Sequence, residues 1–289
     1  MPRSKRQPYK TFIAVFVCFS SKATHLELVS DLSTNNFLLC LKRFVGHRGV
    51  PNRLYCDNAT NFVGGHNKLT NFKSIFFQDA AVQQMQTYAA QKGFEFVFIP
   101  PRAPHFGGLW KAALKSAKTL LLKNAGFANL TYEELHTLII EIEAILNSRP
   151  IAPMSDDPND GEALTPGHLL IGSALIAMPD ETLNMDKPGL LTRWQRITYL
   201  KQQFWNAWSR DYLTSLQERS KWLTPRPDIA VGQLVLIHED NTPPQLWHLG
   251  RVTKTIKGKD ERVRVVELTT KNGTCCRPIH KIALIPSQN

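Results

Sequence analysis

From Arg102 to Tyr132 the chain carries no Asp or Glu at all, and no acid precedes Glu27. The first absence excludes a charge-balanced surface over that stretch. The second denies the N-terminal segment any carboxylate ligand. Five cysteines (Cys18, Cys40, Cys56, Cys275 and Cys276) form no CxxC and no Cys/His set with zinc spacing. Neither a disulfide framework nor a zinc module is encoded, and all five read as packing residues of a reducing compartment. No run approaches the roughly 18–20 apolar residues of a membrane span. There is no internal repeat and no low-complexity tract.

What remains is globular: 43% hydrophobic and 9% aromatic over 289 residues, enough for one or two cored domains. Lys plus Arg is 35 against 24 acids, a surplus of +11, and the pI is near 9.5. That surplus favours a polyanionic partner, nucleic acid or anionic lipid. Arg3, Lys5, Arg6 and Lys10 ahead of the apolar run Phe12–Phe19 imitate a secretory signal, and Asn58, Asn129 and Asn272 open sequons. The run is rich in β-branched and aromatic residues and reads as a buried strand, which implies a nuclear or cytoplasmic protein that is not secreted.

In the acid-free stretch, Lys111, Lys115 and Lys118 share one face of a predicted helix, with Arg102 ahead of it and Lys123 at its end. Leu109, Ala113, Leu114, Ala117, Leu120 and Leu121 take the other face. A solvated basic face is the commonest meaning of such a stripe.

Upstream, Thr11–Ser20 and Thr24–Ser30 read as a hairpin, with Leu26 and Leu28 on the buried face. A helix capped by Asp31 or Ser33 and stopped by Gly46 follows, carrying Phe37, Leu38, Leu41, Phe44 and Val45. Arg53–Asp57 and Phe94–Ile99 are strands. Thr131-x-x-Glu134 is a capping box, opening a helix striped by Leu135, Leu138, Ile139, Ile142, Ile145 and Leu146. Residues 151–190 are Pro-rich and read as an extended connection, so Asp156, Asp157, Asp160 and Glu162 are solvated acids there. A long helix over about Leu191–Leu223 bears Trp194, Ile197, Phe204, Trp205, Trp208, Tyr212 and Leu216, an aromatic stripe of core or contact type. Short strands from Val231 to Ile285, turned at Asn272-Gly273, have the pattern of a small β-barrel. The expectation is a mixed α/β fold in three parts, 1–150, 151–190 and 191–289.

YKTFIAVFVCFSSKATHLELVSDLS, RLYCDNATNF and FIPPRAPHFGGLWKAALKSAK resemble the integrase core of Pao/BEL-type LTR retrotransposons. RWQRITYLKQQFWNAWSRDYLTSLQERSKW and VGQLVLIHEDNTPPQLWHLGRV are similar to the domain following that core. The blocks span nearly the whole chain in order. The resemblance implies a ribonuclease-H-like core, a helical linker and a small β-barrel-like C-terminal domain. It also implies DNA integration through two Asp and one Glu holding Mg²⁺ or Mn²⁺.

Carried over by position, Asp57 matches the second acid and is the metal and catalytic residue this chain retains. Ala59 stands where the family usually has Gly, at about 1–2 kcal/mol if that backbone is left-handed. The first acid, on a strand ahead of the hairpin, is missing with its strand, so the chain resembles an N-terminally truncated copy. The halves of the sheet must then pair directly or leave edges uncovered. Lys111 stands where the family has its Glu. At ~4 Å and an effective dielectric of ~20, each metal charge repels that ammonium by about 4 kcal/mol.

The expected protein is therefore integrase-like, catalytically incomplete and not productively metal-bound. It contacts DNA phosphates non-specifically through Arg102, Lys111, Lys115, Lys118 and Arg251, as a homo-oligomer without a membrane partner. Lys254, Lys257, Lys259, Arg262 and Arg264 are expected beside Arg251 around Trp247. The alternatives are a structural or assembly module joined through the Trp-rich helix, and a domesticated DNA-binding protein without enzymatic activity.

Overall fold

The computed structural model describes residues 10–56, 93, 95–98, 130–155, 162–183, 191–217, 228–239 and 242–285. These fall into two compact units. In the first, β1 (Phe12–Val17) and β2 (Thr24–Val29) form a two-stranded sheet. All six β2 residues are buried, His25 and Glu27 included, rather than the single face expected. Polar residues bear this burial because Glu27 pairs with His25 (3.2 Å) and with the guanidinium of Arg43 (2.6 Å).

Helix α1 (Thr34–Arg48) starts where Ser33 Oγ accepts the Asn36 N–H. It runs past Gly46, the expected stop, and ends at Gly49, whose φ of 80° suits glycine and whose N–H reaches the Val45 carbonyl. An interior glycine costs about 1 kcal/mol, too little to end a helix that packs Cys40 and Leu41 wholly out of solvent. Those two join Phe16 and Val29 in the core, with Phe16 and Phe44 stacked at 4.3 Å. Strand β3 (Arg53–Cys56) pairs in parallel with β4 (Glu95–Phe98). Among the described residues β1–β2 and β3–β4 remain separate two-stranded sheets.

The second unit gathers residues 18–24 and the chain from 116 onward. Its first described helix, α2 (Tyr132–Asn147), opens with the predicted capping box and buries Leu138, Ile139, Ile142, Ile145 and Leu146. Three short elements occupy the segment expected to be irregular: β5 (Ala152–Pro153), β6 (Ala163–Leu164) and α3 (Pro166–Ile171). None is long enough to show a period. The readable signal was Thr165-Pro166 with His168, a reciprocal cap with Pro in the first turn.

Helix α4 (Arg193–Leu216) is capped by Thr192 and Gln195 and lies along α2. Arg193 pairs with Glu134 and Lys201 with Glu141, at sequence separations of 59 and 60, so the two helices run in the same direction. Hydrogen bonds from Arg193 hold the Glu134 carboxyl down at about 2.

Five antiparallel strands complete the unit: β7 (Leu234–Ile237), β8 (His248–Lys257), β9 (Val263–Thr270), β10 (Gly273–Pro278) and β11 (Ile282–Leu284). Their order is β10-β9-β8-β7-β11, with a 3₁₀ turn at Ile279–Lys281 before the last strand. One face buries Val235, Ile237, Val252, Val266, Leu268 and Ile282; Leu234, Leu236 and Ala283 cluster with Leu213 of α4. Among the described residues β10 and β11 are the outer strands of an antiparallel sheet. Cys40 packs as expected, whereas Cys18 and Cys276 are exposed free thiols. Among the described residues no helix is long and apolar enough to cross a membrane.

The tail of α2 is the joint of this unit. Asn147 Oδ1 accepts the Thr24 N–H and its Nδ2 donates to the Thr24 carbonyl, both at 2.8 Å and buried. Ser148 Oγ accepts the Trp247 indole N–H, Arg149 donates to the Lys22 carbonyl, and the Pro150 carbonyl accepts the Tyr212 hydroxyl. Burial lowers the Arg149 pKa and pushes Tyr212 up to about 12, so the Tyr212 hydroxyl keeps its proton at neutral pH. Asn147→Leu should cost about 2 kcal/mol in urea denaturation, because it strands two buried backbone groups. Asn147→Asp should rescue little, since it sets a carboxylate oxygen against the Thr24 carbonyl.

Candidate nucleic-acid interface

Asp57, Arg102, Lys111, Lys115 and Lys118 lie outside the described residues. What is described is the approach to the first of them. β3 ends at Cys56, immediately before Asp57 in the chain, and runs parallel to β4. Carboxyl ends of parallel strands are where open α/β sheets collect ligands.

The resemblance implies divalent metals, and Asp57 and Lys111, the positions it assigns to their site, lie outside the described residues. Among the described residues no three His, Cys, Asp or Glu side chains gather into a metal-holding group. Glu27, the first acid of the chain, is engaged by His25 and Arg43.

The basic residues of the sheet lie among the described residues. Arg251, half-buried on β8, donates to the Gly232 carbonyl at 2.7 Å, which fixes its guanidinium against the lead into β7. At the β8–β9 turn, Lys257 lies 3.5 Å from Glu261, Arg262 3.4 Å from Asp228 and Arg264 2.5 Å from Asp260. The Arg264 hydrogen bond holds the Asp260 carboxyl below its ordinary value. Counting Lys259, this tip sets four cations against three acids, a balance of +1. Exposed pairs of this kind are screened by solvent and contribute little, so an incoming phosphate can displace them. Lys254 and Lys259 are exposed and make no ion pair among the described residues.

Trp247 is not ringed by these cations. It stands edge-on to Trp205 (4.8 Å), Trp208 (5.9 Å) and Tyr212 (5.5 Å) in an aromatic cluster between α4 and the sheet. The Trp-rich helix thus directs Phe204, Trp205 and Trp208 into its own unit, leaving Trp194 the exposed member of the stripe.

Sequence reasoning missed Asn147, Ser148 and Arg149, the residues that join the unit. A signal was present. Position 149 continues the buried stripe, three after Leu146 and four after Ile145, and a polar residue there needs partners.

Residues 192–285, the span from the α4 cap to the end of β11, match a family described as a family of unknown function, DUF5641. No curated protein matches the chain. Among solved structures, the simian T-cell lymphotropic virus intasome in complex with the PP2A regulatory subunit B56 gamma is similar at 12% identity. That likeness has a TM-score of 0.39 and covers 96% of this chain and 78% of that one. The HTLV-2 integrase catalytic core domain in complex with magnesium is similar at 17% identity, with a TM-score of 0.36, over 58% of this chain and 89% of that one. Likenesses this loose transfer no residue roles.

Proposed function

We propose that the chain is an integrase-like nucleic-acid-binding protein of Pao/BEL ancestry whose acids do not support strand transfer. The observation that carries this reading is order. Among the described residues the β1–β2 sheet, a helix, the strands β3 and β4, and a terminal helix-plus-sheet follow one another in the order the sequence reading gives. On this reading the core is ribonuclease-H-like, the terminal sheet is a small barrel, and Asp57 is a vestigial ligand. Lys111, Lys115 and Lys118, with Arg102 and Arg251, contact phosphates as charges that position a duplex without reading its bases. Homo-oligomer formation belongs to the same reading.

The assembly-module alternative relied on the Trp-rich helix. Burial of Phe204, Trp205 and Trp208 inside their own unit removes most of the stripe it would use.

The test is duplex binding across a salt series. Replacing Lys111, Lys115 and Lys118 by Ala should make the slope of log K against log salt shallower by about 3, near 0.9 for each phosphate no longer neutralised. An unchanged slope would remove the helix from the interface. With Mg²⁺ and a pre-processed DNA end the unaltered chain should join no strands, and joining would overturn the incomplete-acid reading.

A further inference from the structure

Between α4 and the β7–β8 connection lies a cleft of about 100 Å³. One wall is helical: Asn206, Ser209 and Arg210, at spacing i, i+3, i+4, share a face. Among the described residues none of these three side chains makes a hydrogen bond or an ion pair. That sets Arg210 apart from Arg43, Arg149, Arg193, Arg262, Arg264 and Arg277, all of which are engaged. The lining from β7, β8 and their connection is mixed: Ile237, Leu246 and Trp247 are apolar or aromatic, and His238, Glu239, Thr242 and His248 are polar. The Trp205 indole N–H closes the floor by donating to the Thr242 carbonyl at 2.8 Å.

The electrostatics favour an anion. Glu239, the acid of the cleft, is already held by Arg277 at 2.9 Å and lies 3.6 Å from His248. Among the described residues Arg210 forms no ion pair, and it stands beside a hydroxyl and an amide. A planar carboxylate is satisfied by one guanidinium fork, whereas a tetrahedral phosphate accepts from several directions, and this wall offers three kinds of donor. The volume holds several waters and is well below the ~300 Å³ of a drug- or cofactor-sized site. It admits a phosphate with part of an attached ring and is too small to enclose a stacked base pair.

We propose that this cleft binds the phosphate of a nucleotide outside a duplex. Arg210, Ser209 and Asn206 hold the phosphate, and Leu246 and Trp247 pack against the sugar or base. The proposal rests on the nucleic-acid-binding reading above, and its source can be a free nucleotide or a single strand.

The experiment titrates the full chain with thymidine monophosphate, a ten-nucleotide thymidine strand and a blunt duplex, each against the unaltered protein and Arg210→Ala. Arg210 is exposed and unbonded, so the variant should melt with the parent. It should lose about tenfold in single-strand affinity, the equivalent of one charge-assisted hydrogen bond, with duplex affinity unchanged. Arg210→Lys, which keeps the charge and loses the fork, should fall between the two. Arg210-dependent binding of the mononucleotide identifies a free nucleotide as sufficient, and dependence in the strand alone identifies nucleic acid; either supports the site. Equal losses for strand and duplex, no loss at all, or a phosphoserine peptide outcompeting the mononucleotide would overturn it. If the unaltered chain binds no nucleic acid in any form, the broader reading fails as well.

Discussion

Lys201→Met is expected to destabilise the second unit by about 4 kcal/mol, because it leaves two carboxylates facing each other with no cation between them. The Lys201 side chain is 5% exposed, its Nζ lies 3.1 Å from Glu141 of α2, and it also bonds Asp180 of the segment leading toward α4. Burial alone would lower the Lys201 pKa; the Asp180 hydrogen bond and the Glu141 charge reverse that and raise it. A raised lysine contributes stability that is fully present below its unfolded value of 10.5 and is lost as pH rises through the folded one. At neutral pH the clamp is therefore closed. Melting should fall by roughly 10 °C. Adding Asp180→Leu and Glu141→Leu to Lys201→Met should recover most of the loss, since replacing a whole buried ionic cluster by apolar side chains is often neutral. A single variant melting within about 2 °C of the parent would mean that the ion pairs do not hold the segment.

Much of this architecture was legible from periodicity and caps. The α2 stripe and its Thr131 box, the Ser33 cap of α1, and the short strands after Val231 all stand where residue spacing put them. The failures share a physical cause, which is that a partner distant in sequence decided the outcome. β2 alternates in sequence yet is buried throughout, because Arg43 of α1 reaches over to satisfy Glu27. Gly46 looked like a stop, but a stop needs unsatisfied carbonyls to be capped there, and Gly49 performs that task.

The candidate interface was legible in composition and not in pairing. The cations of the β8–β9 turn could be counted in advance. That Asp228, Asp260 and Glu261 would neutralise three of them depends on the turn geometry and on a residue some 35 positions upstream. Trp247 was misplaced for the same reason. Nothing local to it indicates that Trp205, Trp208 and Tyr212 will close around it.

That aromatic joint carries the other large effect. Trp205 is 1% exposed, stands edge-on to Trp247 at 4.8 Å, and gives its indole N–H to the Thr242 carbonyl. Trp205→Ala removes the packed ring, opens a cavity between α4 and the β7–β8 connection, and orphans that carbonyl. The expected cost is about 4 kcal/mol, read by urea denaturation followed in the far-ultraviolet so that the missing fluorophore does not distort the signal. Trp205→Phe keeps much of the packing and loses the hydrogen bond, so it should cost only about 1–2 kcal/mol. Trp194, on the same helix but 61% exposed, supplies the control. Trp194→Ala should cost under about 0.5 kcal/mol. If Trp205→Ala proves no more harmful than Trp194→Ala, the aromatic cluster does not fasten the sheet to α4. The tryptophans of this helix would then be free for the assembly role that their burial argues against.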